Sequence, residues 1–357
     1  MAVYHIYKAN CYNSSRVMLQ TEWDFESILV HQVVPKKSSY GDSGFHEVNL
    51  GFLNLLRIVF CLRSQSATFV FHAQSSLPFL LFVRLLSFFL DINGLRIVYD
   101  IHDYHERKKE SGLYRMLRYY WFRYLIIRCL ESLVLNDKRV RVITVSNGLS
   151  KKVSESYGCG RPKVVMSAHQ PPFSKQKDES FKNRTCHAVY FGISEHAPPV
   201  SLVKELAKQG ISFHIYGRGM SEGFYDLDDE LLPSIRYFGE YDPSDLSFLL
   251  KYRYLVLYKP EVESVNYRVA LPNKMFQGMG AGLSFIVSQN FEEMIHLLND
   301  VPGSLGVLKD IDDISRLVGE LEKFDILEYG DLIQRFLFRL TCDARSEYLS
   351  LTKNEWA

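Results

Sequence analysis

Strand-like and helix-like segments alternate along almost the whole chain, and this alternation limits the possible folds more than any other feature of the sequence. In the first half, short apolar runs typical of buried strands lie at 3–7, 28–34, 67–72, 95–100 and 140–146. Helix-like segments separate them at 51–63, 77–90 and 111–135. Strands separated by helices form parallel sheets covered by helices on both faces. The pattern therefore predicts an α/β fold.

The polar segment 168–185, which contains Pro171-Pro172, divides the pattern in two. Beyond it, strand-like runs lie at 187–192, 211–217, 235–240, 255–260 and 284–287, and helix-like segments at 199–210, 243–252 and 311–354. We predict two doubly wound Rossmann-like domains. Their predicted bounds are 1–167 for the N-terminal domain, 168–185 for a linker, 186–330 for the C-terminal domain, and 331–357 for C-terminal helices that pack back towards the N-terminal domain.

Composition excludes several classes of protein. Lys and Arg number 42 against 41 Asp and Glu, so the formal net charge of +1 argues against a general nucleic-acid binder. The six cysteines form no CxxC pair, and no spacing is typical of a metal site.

The apolar segment 77–90 contains Arg84 and is shorter than the ~20 residues of a membrane span, so we predict a buried or interfacial helix. The N-terminus lacks the apolar core of a signal peptide, which predicts a cytoplasmic protein.

Ionisable residues follow the strand-like run 95–100, at the edge where parallel α/β sheets bind ligands. Asp100, His102 and Asp103 lie within four positions of one another. A histidine beside a carboxylate is suited to act as a general base or to hold an acceptor hydroxyl, so we select His102 and Asp103 as candidate catalytic residues. The alternative is a polar loop in which Asp100 caps the next helix. His72, which ends the run 67–72, is either a further site residue or a loop residue.

Glycines end two strand-like runs of the second half. Gly192 ends the run 187–192, and Gly217 is followed directly by Arg218. A glycine at a strand end lets the backbone approach a ligand closely, although a simple glycine turn is the alternative. No GxGxxG segment follows a strand and no GxxxxGK[ST] segment is present, so neither a nicotinamide-dinucleotide site nor a P-loop is supported.

The segment LPNKMFQGMGAG at 271–282 predicts an anion site at a helix N-terminus. Pro272 favours a helix start, which puts Lys274 in the first turn. Unpaired backbone N–H groups, the positive end of the helix dipole and the ammonium group would then share one place, which favours phosphate. Gln277 lies three residues further and shares that face. A helix of small residues packed on the sheet would explain the glycines but not the lysine.

These motifs, in this order, resemble a GT-B fold glycosyltransferase. The resemblance rests on IVYDIHD at 97–103, VITVSNGLSKKV at 142–153, YFGI at 190–193, HIYGRG at 214–219 and PNKMFQGMGAGLSFIV at 272–287. The most similar group is the retaining family 4 enzymes of bacterial surface-polysaccharide assembly, meaning capsule, lipopolysaccharide or exopolysaccharide. The resemblance implies that the two domains face each other across a cleft, with the nucleotide sugar on the C-terminal domain and the acceptor on the N-terminal domain.

The resemblance also implies roles for individual residues. Lys274 would meet the diphosphate of a UDP-type or GDP-type sugar, assisted by Arg218 or Arg268. Further residues of the implied nucleotide-sugar site are Gly192, Gly217, Glu240, Tyr241, Asn273 and Gln277. Gln277 stands where many relatives carry the second glutamate of an E-x7-E motif, and Val269 stands at the position of the first. No cofactor and no metal are expected, because the nucleotide sugar is a co-substrate.

Two alternatives remain at the level of the sequence: a GT-B sugar-nucleotide epimerase, and a non-catalytic GT-B partner subunit. The segment 111–135 is rich in arginine and aromatic residues, which favours peripheral contact with an anionic membrane, although an ordinary packed helix would have the same composition. The resemblance implies a glycan or lipid-linked acceptor, since many relatives act on lipid-linked acceptors at the inner membrane.

Overall fold

The computed structural model divides into two compact α/β units. The structure describes residues 2–8, 15–24, 27–31, 46–62, 65–92, 94–104, 106, 115–169, 188–219, 232–243, 245–259, 264–323 and 326–353. Most of the predicted linker and the side chains at 115–121 and 123 lie outside this described part.

The first unit contains a parallel sheet of seven strands. Its strands are β1 (Ala2–Tyr7), β2 (Ser27–His31), β3 (His46–Asn49), β4 (Ala67–His72), β5 (Leu95–Ile101), β6 (Val140–Thr144) and β7 (Lys163–Val164). The strand order is β3-β2-β1-β4-β5-β6-β7. The chain therefore reverses its direction of travel between β1 and β4, which is the topological switch point of a doubly wound sheet.

Helices pack against this sheet because each buries an apolar face there. Those of the first unit are α1 (Ser15–Trp23), α2 (Phe52–Cys61), α3 (Leu77–Phe89), α4 (Arg115–Leu135) and α5 (Asn147–Tyr157). Ser146 caps α5, since its Oγ accepts a hydrogen bond from the backbone N–H of Leu149 at 3.1 Å. Phe69, Phe71 and Tyr99 are fully buried in the core.

The second unit contains a parallel sheet of six strands in the order β10-β9-β8-β11-β12-β13. They are β8 (Ala188–Ile193), β9 (Phe213–Arg218), β10 (Ile235–Tyr237), β11 (Tyr254–Leu257), β12 (Ser284–Ser288) and β13 (Leu305–Leu308). The switch point lies between β8 and β11, so both sheets repeat one winding scheme. The prediction of two doubly wound α/β sheets is confirmed.

The remaining helices are α6 (Val200–Lys208), α7 (Val265–Val269), α8 (Asn273–Gly280), α9 (Glu292–Leu298), α10 (Ile314–Leu321) and α11 (Ile326–Thr352). Gly210 follows α6 with a φ of 72°, the left-handed conformation in which glycine commonly ends a helix. The predicted helix 243–252 is wrong in type: Ser247–Lys251 form a short 3-10 helix instead. No helix in the described part of the chain is both long and apolar enough to cross a bilayer.

The first unit consists of 1–167, 264–270 and 342–357, and the second of 168–263 and 271–341. This division differs from the predicted one, which placed all of 186–330 in the C-terminal domain. Residues 264–270, which contain α7, belong with the first unit because Asn266 exchanges hydrogen bonds with the backbone of Tyr104, at 2.6 and 3.0 Å. The last residues of α11 also belong with the first unit, where Tyr348 is fully buried.

Candidate functional site

In the second unit, two strand ends and the first turn of α8 bring together Gly192, Gly217 and Lys274. Gly192 lies near the end of β8, beside the switch point, and Gly217 lies at the matching position of β9. A Cβ atom built on Gly192 would lie 2.2 Å from Lys274 Nζ. The ammonium group therefore occupies the space that a side chain at Gly192 would fill, directly over the strand end.

Both glycines have backbone conformations that other residues rarely adopt. Their φ angles are 139° and 141°. A Cβ on Gly217 would lie 1.7 Å from the carbonyl oxygen of Gly192, so no side chain fits. The two strand ends approach each other this closely only because both residues are glycine, and at Gly192 no side chain separates the backbone from Lys274.

Lys274 carries a positive charge in a poorly solvated place. Its Nζ donates a hydrogen bond to the Tyr190 hydroxyl at 3.1 Å and lies 4.3 Å from the centre of that ring. Within the described residues, no carboxylate lies within ion-pair distance of Nζ, and burial lowers the pKa of this ammonium group to about 8. A buried cation without an acidic partner, at the N-terminal end of a helix, is suited to bind an anionic ligand.

The other residues predicted for this site lie around it with different exposure. Arg218 pairs with Glu240 at 3.0 Å, and both side chains are largely exposed. Tyr241 is half-buried against Phe191, and burial raises the pKa of its hydroxyl. Asn273 is the exposed first residue of α8, and Gln277 lies half-buried one turn after Lys274. Gly192 is in close contact with both Lys274 and Gly217.

In the first unit, a buried polar cluster surrounds Asp100, which is fully buried. Arg16 from α1 donates to both carboxylate oxygens, through Nε at 2.8 and 3.1 Å and through one terminal nitrogen at 2.7 Å. Gln20 donates to Oδ2 at 2.9 Å. His72 and His102 each place a ring nitrogen 3.2 Å from the same oxygen. Asp100 is therefore the centre of this cluster and does not cap a helix.

Opposing effects act on the Asp100 carboxyl. Burial alone would raise its pKa, but the positive charge of Arg16 and the hydrogen bonds from His102 and His72 outweigh burial and hold the pKa well below its usual range. Asp100 is therefore ionised and accepts hydrogen bonds only. It follows that the His102 nitrogen facing it, Nε2, carries a proton, and that Nδ1 is the unprotonated nitrogen of the neutral ring.

The two predicted catalytic residues differ in their surroundings. His102 follows β5 directly and its side chain is 17% exposed, so it is accessible while Asp100 holds its inner edge. Asp103 as a residue is exposed, but the atoms packed around its carboxyl group exclude water and raise its pKa. His102 opposes this increase in pKa, and the negative charge of Glu106 adds to it. Gln74 donates to the Asp103 backbone carbonyl at 3.1 Å. The structure thus supplies an accessible imidazole with a fixed orientation.

The loop after β5 is held by the segment 264–270. The Glu106 carboxylate accepts hydrogen bonds from the Ser264 hydroxyl and the Asn266 backbone N–H, both at 2.9 Å. Arg268, predicted for the nucleotide-sugar site, lies exposed on α7 within the first unit. Arg268 therefore belongs to the same unit as His102, whereas Lys274 belongs to the second unit.

Donor atoms of His72, Asp100 and His102 lie within 4.8 Å of one another, as a metal site would require. However, Asp100 Oδ2 already accepts hydrogen bonds from both histidines, Gln20 and Arg16, and the adjacent guanidinium group would repel a cation. Hydrogen bonding accounts fully for this arrangement, and we describe it as a polar cluster.

Sequence reasoning did not find Arg16, Gln20 or Tyr190. Arg16 and Gln20 lie four residues apart on α1, a helix that the sequence pattern did not indicate. A signal for the cluster was present nonetheless, because His72 and Asp100 are the polar residues that end two neighbouring strands. They lie opposite each other in the sheet register.

Solved structures with the same two-sheet architecture match nearly the whole chain. No protein-family model and no curated protein matches the sequence. A glycosyltransferase from Rickettsia africae ESF-5 matches with a TM-score of 0.66 and 11% identity, covering 99% of each chain.

Two further structures match to a similar degree. WaaG, a glycosyltransferase involved in lipopolysaccharide biosynthesis, has a TM-score of 0.64 and 10% identity, over 99% of this chain and 100% of its own. Anabaena HepE, crystallised in complex with UDP-glucose, has a TM-score of 0.61 and 10% identity, over 98% of each chain. At this identity the similarity establishes the fold, so the predicted GT-B fold is confirmed. The narrower resemblance to family 4 stays a prediction.

Proposed function

We propose that this protein is a glycosyltransferase that moves a sugar from a nucleoside-diphosphate sugar to an acceptor hydroxyl. The observation that carries the proposal is the Lys274 ammonium group, which has no acidic partner among the described residues and lies over the glycine strand ends beside the switch point of the second sheet. The similarity to glycosyltransferase structures over both units supports the same reading.

In this proposal the second unit binds the donor. Lys274 and the first backbone N–H groups of α8 stabilise the negative charge that develops on the diphosphate leaving group, which is electrostatic catalysis. Gly192 and Gly217 let the phosphates approach the backbone. Lys274 supplies positive charge where a metal ion would otherwise be needed, so we propose metal-independent transfer. Arg218 can turn from its exposed pair with Glu240 to add a second charge.

The first unit binds the acceptor in this proposal. The unprotonated Nδ1 of His102 takes the proton of the acceptor hydroxyl, and Asp103 assists in orienting that hydroxyl. We further propose a retaining outcome, a glycan or lipid-linked glycan as acceptor, and a role in assembling bacterial capsule, lipopolysaccharide or exopolysaccharide from the cytoplasmic side. The anomeric configuration of the isolated product, determined by proton NMR, decides between retention and inversion.

A panel of UDP-sugars and GDP-sugars tests the proposed function. We expect one donor class to stabilise the full-length protein by about 2.7 kcal/mol when present at a hundred times its Kd, because the ligand binds only the folded state. We also expect slow release of free nucleotide, accelerated by a matching acceptor. Chromatography of the products distinguishes the alternatives.

An isomerised sugar in place of a transferred one would identify an epimerase. Stabilisation without turnover in any acceptor mixture would favour a partner subunit. No stabilisation by any nucleotide sugar would contradict donor binding altogether.

We also propose peripheral contact with an anionic membrane, and exposed apolar side chains on α2 and α3 support it. Phe52 and Phe60 on α2 and Phe88 and Phe89 on α3 are 49%, 49%, 65% and 71% exposed. Phe52 packs against Phe79 of α3 with ring centres 4.8 Å apart, so the two helices present one apolar surface. Aromatic residues on a helix face insert into the headgroup region of a bilayer. Most of the arginines predicted to contact the membrane in 111–135, namely Arg115, Arg118 and Arg123, have side chains outside the described residues.

Sedimentation with phosphatidylglycerol vesicles tests this contact. The double change Phe88→Ser and Phe89→Ser should weaken vesicle binding at least about tenfold. It removes two aromatic side chains whose transfer from water into the bilayer would favour binding. Phe338→Ser is the matched control, since Phe338 is 62% exposed on α11. Equal binding of all three proteins, or equal binding to phosphatidylcholine vesicles, would contradict the proposal.

A further inference from the structure

A line of hydrogen bonds runs through the interior of the first unit from Asp24 to Asp100. Asp24 Oδ2 lies 3.1 Å from His5 Nε2, and His5 Nδ1 lies 3.0 Å from His72 Nε2. His72 Nδ1 lies 3.2 Å from Asp100 Oδ2. All four side chains are essentially buried. The end of α1, the centre of β1 and the ends of β4 and β5 thus contribute one continuous chain, which reaches His102 through Asp100.

The hydrogen bonds of this chain need one proton more than two neutral imidazole rings supply. Each of its contacts needs one hydrogen between the two atoms, and ionised carboxylates supply none. Two neutral imidazoles carry one ring hydrogen each, which leaves one of the contacts without a hydrogen. A buried pair of acceptors facing each other at hydrogen-bond distance is unfavourable. The chain is therefore complete only with one additional proton.

The surroundings indicate where this proton resides. Burial lowers the pKa of His72 to about 3, so His72 is the neutral member and donates through Nδ1 to Asp100. His5 is left to donate from both ring nitrogens, to Asp24 and to His72. The Lys353 ammonium group lies 3.7 Å from Asp24 Oδ1, and the Tyr348 hydroxyl donates a hydrogen bond to Oδ2 at 2.8 Å.

The charges of the cluster then balance. Asp24 and Asp100 are negative, while Arg16 and a doubly protonated His5 are positive, and His72 and His102 are neutral. Lys353, whose side chain is 41% exposed, lies beside Asp24 as a further positive charge. Buried charges are tolerated where each has a partner, and here each one has.

We propose that His5 is a buried, doubly protonated histidine that acts as a positioning residue for His102. By donating to His72 Nε2, His5 fixes the His72 ring with its Nδ1 proton on Asp100. Asp100 is thereby held with Oδ2 facing His102 Nε2, and the unprotonated Nδ1 of His102 faces outward. The structural part of this inference depends only on the cluster, whereas its catalytic consequence rests on the proposed function.

Nitrogen NMR of the full-length protein with isotope-labelled histidine tests the structural part near neutral pH. We expect one buried ring with protons on both nitrogens, whose signals disappear in His5→Gln. The matched control His296→Gln should remove only signals of an exposed ring. If His5→Gln does not fold, Asp24→Asn should abolish the doubly protonated state by removing its counter-charge. A spectrum in which each buried histidine carries one proton overturns the inference and would put the proton on Asp24.

Steady-state kinetics tests the catalytic part. With a donor and acceptor that support transfer, His5→Gln should lower kcat about tenfold while the KM for the donor stays within about twofold, because only the orientation of the base is loosened. A doubly protonated His5 with an unchanged kcat in His5→Gln would overturn the positioning role alone. Absence of transfer by the wild-type protein would contradict the proposed function and leave the NMR result standing.

Discussion

Replacing Lys274 with alanine should weaken binding of the nucleotide-sugar donor by about a hundredfold, because a charge-assisted contact to the diphosphate is lost in a poorly solvated site. Isothermal titration with the donor found by the panel measures this change. The fold should persist, since the amine makes one hydrogen bond, to the Tyr190 hydroxyl, and that hydroxyl also donates to the Ile193 carbonyl at 2.7 Å.

The pH dependence of binding sharpens this test. The pKa of the Lys274 ammonium group is lowered to about 8, and only the charged form attracts the diphosphate. Donor affinity should therefore be constant below pH 8 and fall by up to about tenfold for each pH unit above it, since binding then requires uptake of a proton. Lys274→Arg, whose guanidinium group stays charged, should lack this fall.

Lys208→Ala provides the matched control, because Lys208 lies exposed on α6 of the same unit. It should bind the donor as the wild type does, with the same pH dependence. If Lys274→Ala retains wild-type affinity, the anion site at α8 is wrong, even if the protein proves to transfer sugars.

The positions of functional side chains relative to strands were predictable from the sequence, but their partners were not. Because the carboxyl ends of parallel strands share one edge, the strand-like runs ending at His72, Asp100, Gly192 and Gly217 were enough to locate both candidate sites. Pro272 indicated the start of α8 and therefore the position of Lys274 in its first turn. These inferences use short-range rules of backbone geometry.

The partners of these residues depend on long-range packing, which leaves little trace in local sequence. Arg16 reaches Asp100 across 84 positions of the chain. Nothing near Arg16 distinguishes it from a surface arginine, because α1 has a weak apolar pattern of its own. The same limit applies to Arg268, which the resemblance implied as a possible second positive charge beside the diphosphate. The contacts of Ser264 and Asn266 with Glu106, which hold its segment in the first unit, also depend on long-range packing.

Arg16 is buried and makes five hydrogen bonds within the first unit. Its side chain is 4% exposed and, besides its bonds to Asp100, it donates to the Val165 carbonyl at 2.7 Å and to the Ser167 hydroxyl at 3.0 Å. Arg16 therefore connects α1 both to the end of β5 and to the segment after β7. Removing it leaves a buried carboxylate and two further buried acceptors without this donor.

Changing Arg16 to methionine should destabilise the full-length protein by about 3–5 kcal/mol, the usual effect of leaving a buried charge uncompensated. The thermal unfolding transition of the first unit should fall by about 10 °C. Adding Asp100→Asn to this variant should recover part of the loss, because an uncharged amide replaces the isolated carboxylate. Arg161→Met, at an exposed arginine of the same unit, should leave the transition within about 1 °C of the wild type, as surface substitutions usually do. A double variant no more stable than Arg16→Met would show that packing, and not the buried charge, dominates at this position.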